Sequence, residues 1–89
     1  MAWEIEIDRA AKRDLDNLDR QVGRRILKFL YDRVATLDDP RSIGEALKGS
    51  VLGDLWKYRV GDYRIVSIIE DGKLKILIVR IGNRREVYR

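Results

Sequence analysis

Cysteine and histidine are both missing from the 89-residue chain. The first absence excludes disulfides and thiol chemistry and fits a reducing compartment. The second excludes His-based acid–base pairs and His-rich metal sites, and no carboxylate cluster takes their place. No P-loop, G-x-G-x-x-G or metal-ligand spacing occurs, so no cofactor and no metal are expected. No apolar run approaches the ~20 residues of a membrane span, and the start M-A-W-E-I-E-I-D lacks the pattern of a signal peptide. The expected location is therefore cytoplasmic, with no membrane partner. Low-complexity segments, internal repeats and linkers are also lacking, which predicts a single domain over residues 1–89.

Charged residues make up 38% of the chain and apolar residues 45%, a globular balance. A domain this short buries only somewhat over ~60% of its unfolded surface, so a partner chain has room to add stability. Net charge is +4. Residues 1–48 hold ten Lys/Arg and ten Asp/Glu, whereas residues 49–89 hold nine and five. The excess lies wholly in the second half. Such asymmetry suggests an anionic partner, nucleic acid above all, although a merely soluble basic protein has the same arithmetic.

Ala2 to Ile7 alternates, with Trp3, Ile5 and Ile7 on one face, and reads as a strand. Asp8 suits the N-cap of a helix over Arg9–Leu18, where Ala11, Leu15 and Leu18 form the apolar stripe. Asp19 suits the cap of a second helix whose Val22, Ile26, Leu30 and Val34 repeat every fourth residue, ending by Leu37. Residues 38–54 are connection. Within them Ser42-x-x-Glu45 has the form of a capping box, and Gly49 suits the end of a short helical turn. Leu55–Val60, Tyr63–Glu70 and Lys73–Ile81 read as three strands, with two-residue turns at Gly61-Asp62 and Asp71-Gly72. Arg84–Tyr88 is a candidate final strand. The predicted class is α+β: a small antiparallel sheet of the N-terminal strand and a C-terminal meander, with a two-helix hairpin on one face, in β-α-α-β-β-β order.

The first hairpin predicts a site. A turn at Gly61-Asp62 pairs Val60 with Tyr63 and puts Arg59 opposite Arg64 and Lys57 opposite Val66. Alternation then gathers Lys57, Arg59 and Arg64 on one face and leaves Trp56, Tyr58, Tyr63 and Ile65 to pack against the helices. Like charges placed opposite destabilise a sheet, and an anion between them relieves this. Arg84 and Tyr88 share a face in the last segment. Arginine grips phosphate bidentately, and a tyrosine ring offers a base a flat partner. Two plainer readings stand beside this one. Arg59, Arg64 and Arg84 form solvated ion pairs with Glu86, Asp62 or Glu6, and Tyr88 packs near the C-terminus. Trp3, Trp56, Tyr58 and Tyr63 read as core or core-edge.

The runs L-W-K-Y-R-V-G-D-Y-R-I-V (Leu55–Val66) and R-I-G-N-R-R-E-V-Y-R (Arg80–Arg89), with P-R-S-I-G-E-A-L-K-G (Pro40–Gly49), resemble the RelE/ParE toxin superfamily. The resemblance covers essentially the whole chain and implies the same sheet-and-two-helix fold. RelE-like members are messenger-RNA interferases that cut A-site codons on the ribosome by driving the ribose 2′-hydroxyl onto the adjacent phosphate. The resemblance carries catalytic roles onto Lys57, Arg64, Arg84 and Tyr88, with Arg59 a substrate-binding candidate by position. It implies a metal-independent endoribonuclease, a cognate RelB-like antitoxin, and operator DNA met only through that antitoxin. Asn83 stands where many relatives have His, and Leu55 where RelE has a further basic residue. The alternative within the superfamily is a ParE-like, non-enzymatic inhibitor of DNA gyrase. Clustered Lys57, Arg64, Arg84 and Tyr88 favour the nuclease.

Overall fold

In a computed structural model, the structure describes residues 2–47 and 55–83. The elements run β1 (Glu4–Ile7), α1 (Arg9–Asp16), α2 (Arg20–Lys28), a π-helical turn (Phe29–Val34), β2 (Glu45–Ala46), β3 (Leu55–Val60), β4 (Tyr63–Glu70), a 3-10 turn (Asp71–Lys73) and β5 (Lys75–Asn83). The strands form one sheet in the order β1-β5-β4-β3-β2. The expected α+β class and element order hold. The sequence-predicted bounds of β3 and β4 are those observed.

Asp19 caps α2 as expected, its carboxylate accepting from the Gln21 N–H at 3.2 Å. Ile26, Leu30 and Val34 are fully buried. A four-residue repeat drifts by about 40° per step around a regular helix. Here the last turn widens, with the Ala35 N–H donating to the Leu30 carbonyl at 2.9 Å, five residues back. That wider turn rotates the stripe back, so all three side chains meet the sheet. They pack with Ala11 and Trp3 against Tyr58, Ile65, Ile69, Ile76, Ile78 and Ile81. Phe29 meets Tyr58 edge to face, with ring centroids 6.0 Å apart. Trp56 and Tyr63 lie at the margin of this core, as their strand positions predict.

The structure corrects the sequence reading in four places. β1 pairs with β5 in parallel, so the sheet is mixed, and only the meander is antiparallel. The two-helix crossover carries the chain to the far edge, where β2 runs opposite to β1, and three antiparallel reversals then bring β5 back beside β1 in the same direction. Ser42-x-x-Glu45 is no capping box. The Ser42 hydroxyl donates to the Asp39 carbonyl at 2.7 Å, and Glu45–Ala46 form an edge strand against β3. Gly44, at φ +82°, makes the bend into that strand, and a Cβ there would lie 2.4 Å from the Lys57 carbonyl oxygen. Asp71-Gly72 is not a two-residue turn, because the loop runs through Leu74 in the left-handed region at φ 49°. β5 accordingly starts at Lys75, and a bulge near Val66/Ser67 lets it run on to Asn83. Gly49 and the candidate strand Arg84–Tyr88 lie outside the described residues.

Candidate nucleic-acid interface

The face of the sheet turned away from the helices is ordered in rows. At the β3–β4 turn Arg59, Arg64 and Gly82 stand side by side. The next row is Glu45, Lys57, Val66 and Arg80. Beyond it lie Leu55, Ile68, Leu77 and Glu6, and then Glu70, Lys75 and Glu4. Cations therefore concentrate at the turn end of the face and carboxylates at the other. The expected gathering of Lys57, Arg59 and Arg64 holds in every pairing that predicted it.

The turn fixes this geometry. Gly61 takes φ +59°, and Asp62 is not among the residues of positive φ. Glycine first and an ordinary residue second is the pattern of a two-residue turn whose twist matches the strands. Arg59 and Arg64 form the next pair in, with Cβ atoms about 4.5–5.5 Å apart, and Lys57 lies diagonal to Arg64 at about 7–8 Å. Arg59 is exposed, whereas Lys57 and Arg64 are half-buried. The Arg59 Nε donates to the Gly61 carbonyl at 3.3 Å. Gly82 opposite Arg64 adds no side chain of its own to this row.

Other charges are committed elsewhere. Lys75 Nζ meets Glu6 at 3.4 Å, which occupies the carboxylate that the ion-pair reading offered to the arginines. Arg80 is drawn to the helix layer, where its Nε lies 2.9 Å from Asp14 of α1. The same carboxylate accepts from the Ile81 N–H, covering the edge of β5 that β1 does not reach. Arg41 forms a two-point pair with Asp71, at 2.9 and 3.0 Å. Its guanidinium holds the Asp71 carboxyl below the ordinary carboxylate range. Tyr58 is buried, which pushes its hydroxyl above the usual phenol range, and it donates to the Pro40 carbonyl at 2.5 Å. Trp56 Nε1 donates to the Ile43 carbonyl at 2.9 Å. These bonds pin the loop that carries Glu45 beside Lys57.

Arg84 and Tyr88 lie outside the described residues. Two neighbours of the site escaped the sequence reading. Glu45 was hidden because its segment resembles a helix start. Arg25 reaches the site from α2, and strand periodicity carries no signal for it. Among the described residues no group of three or more acidic side chains is placed to hold a metal. No described helix is long and apolar enough to cross a membrane.

The sequence pattern of the ParE toxins of type II toxin–antitoxin systems, parDE, matches residues 5–88. Toxin RelE of Mycobacterium tuberculosis is 31% identical over 98% of this chain and 87% of its own length. Toxin RelG of the same organism is 25% identical, over 100% and 99%. Among solved structures, the M. tuberculosis RelBE2 toxin–antitoxin complex holds a chain that superposes with a TM-score of 0.84 at 22% identity, over 97% of this chain and 95% of that one. The RelE–RelB complex of Pyrococcus horikoshii gives 0.74 at 26%, over 98% and 100%.

Proposed function

The chain belongs to the ParE toxin family of type II toxin–antitoxin systems, and from that premise we propose that it is a ribosome-dependent messenger-RNA endonuclease. The observation that carries this reading is the pairing of Arg59 with Arg64, with Lys57 on the same face. Paired strand positions set two arginine side chains on one face as neighbours, and a phosphate that meets both is held by two charge-assisted donors. In the proposed reaction the ribose 2′-hydroxyl attacks the adjacent phosphorus and loses its proton, and the 5′-oxygen of the next nucleotide leaves. Arg64 and Arg84 neutralise the charge that develops on the phosphate oxygens. Lys57 takes the proton, since arginine is effectively always protonated. Arg59 binds the strand, and Tyr88 stacks on a base. No metal or cofactor takes part. Lacking both metal and histidine, such a site has little intrinsic power and relies on the ribosome to orient the message.

The proposed partner is a RelB-like antitoxin, as in the solved complexes of the M. tuberculosis and P. horikoshii relatives. A groove of about 660 Å³ along the helices supports it, with Ile7, Leu15 and Leu27 half-buried in its wall, Tyr31 exposed, and Lys12, Arg20 and Arg24 outnumbering Asp16 and Asp19 around it. Such a groove suits an amphipathic, partly disordered chain that is acidic where it meets this surface. Operator DNA is then bound by the antitoxin. A cytoplasmic location follows from the proposed target.

The matching family pattern bears the ParE name, which favours gyrase inhibition as the second reading. One experiment separates the two. Cells induced for this protein are mapped for transcript ends and for gyrase-linked DNA breaks. New ends within A-site codons support the nuclease. Breaks without such ends establish the gyrase reading instead.

A further inference from the structure

We infer that Arg25 of α2 is a further phosphate-binding residue, which carries the cation site from the open sheet face around the β3–β4 turn to the helix layer. The inference rests on the RNA-cleaving reading above. Arg25 follows Val22 by three residues and precedes Phe29 by four, so it lies on the stripe that faces the sheet. Val22 and Phe29 pack against the core, while Arg25 between them is exposed. Its Nη2 lies 3.8 Å from where a Cβ on Gly61 would stand. Arg59 approaches the same residue from the sheet, its Nε 3.3 Å from the Gly61 carbonyl oxygen.

Two guanidiniums thus converge on one glycine of the turn, and a third arginine, Arg64, pairs across the strands with Arg59. Among the described residues neither Arg25 nor Arg59 forms an ion pair, although Asp62 follows Gly61 in the turn. Arg41, Lys75 and Arg80 all do. Arg25 and Arg59 are both exposed beside the same glycine, where one anion reaches both. Arg64 meets one phosphate of a bound strand, and Arg25 with Arg59 meets a neighbouring phosphate. The phosphate belongs either to the message or to ribosomal RNA.

The test is single-turnover cleavage of message on stalled ribosomes, across a salt series, by the parent protein and by Arg25→Ala, Arg25→Lys and Arg33→Ala. Arg33 is exposed at the far end of the helical hairpin and controls for loss of one charge. Thermal melts establish that each variant is folded. Arg25→Ala is expected to raise the half-saturating concentration about tenfold at unchanged maximal rate. Its log–log salt slope becomes shallower by about 0.7, the value for one contact to a single strand. Arg25→Lys keeps most of the slope, and Arg33→Ala matches the parent. Equal effects of Arg25→Ala and Arg33→Ala, or no effect of Arg25→Ala, overturn the inference and leave the nuclease reading intact. A parent protein that cuts no ribosome-bound message overturns both. Methylphosphonates flanking the cut locate the phosphate: they abolish the Arg25 effect if it is in the message and preserve it if it is ribosomal.

Discussion

Glu45 on the two-residue edge strand stands directly opposite Lys57 on β3, one row from the opposed pair Arg59 and Arg64. Among the described residues of the cation-rich rows, the one acid is therefore set beside the one lysine. Opposite charges across a strand pair contribute roughly 0.2–1 kcal/mol. Glu45→Gln is expected to lower stability by no more than about that amount, and 1 M salt should erase the difference between variant and parent. Chemical unfolding at low and high salt checks this.

Removing a preorganised donor typically costs on the order of 10²–10³ in rate. Lys57→Ala, Arg64→Ala and Arg84→Ala should each lose about that much in single-turnover cleavage while remaining folded. If all three variants melt like the parent and cut like it, these cations are not the catalytic set.

Tyr88 is assigned to stacking, which needs the ring and not the hydroxyl. Loss of a stacking platform costs about 1–3 kcal/mol, or roughly ten- to hundredfold. Tyr88→Phe should keep most cleavage, and Tyr88→Ala should lose it with the melting temperature unchanged. Phe as damaging as Ala points to proton transfer by the hydroxyl. A fall in melting temperature that tracks activity points to packing.

Tyr58 joins the sheet to the loop ahead of β2 through its bond to the Pro40 carbonyl. Tyr58→Phe strands a buried acceptor, at a cost of about 1–3 kcal/mol. Urea unfolding measures it, and a neutral result means that the carbonyl finds another donor.

Arg41 holds Asp71 ionised across the surface, which gives a signed pH dependence. The Asp71 carboxyl is lowered from its ordinary value of 3.8, so its contribution to stability is present above that value and is lost as pH falls through the lowered one. The stability gap between parent and Arg41→Ala should be steady near neutrality and close progressively below pH 3.8. Denaturant midpoints between neutral and acid pH test the trend. A gap that widens in acid contradicts the pair.

Gly44→Ala combines backbone strain of about 1–3 kcal/mol at positive φ with a clash against the Lys57 carbonyl. The variant should unfold at lower denaturant than the parent. An equal midpoint would show that the bend before β2 tolerates a side chain.

Local chemistry alone determined much of this protein. The Gly61-Asp62 and Asp71-Gly72 pairs defined β3 and β4 to the residue, because strand-forming runs end where such turn residues interrupt them. Gly61-Asp62 determined the register, because few turns join two strands through two residues, and that register put Lys57, Arg59 and Arg64 on one face. What the sequence left undetermined depends on segments distant in the chain. β1 pairs in parallel because the crossover to the far edge and the three reversals after it, not the strand's own residues, set the direction in which β5 meets it. Glu45 became a strand because Trp56 and Tyr58 hold the preceding loop against β3, overriding a pattern that favours a helix. Arg25 came to lie beside Gly61 because α2 packs across the sheet with that residue over the β3–β4 turn. Such placements follow from the packing of whole elements, which buries far more surface than any single residue's preference involves, and so only the tertiary structure decided them.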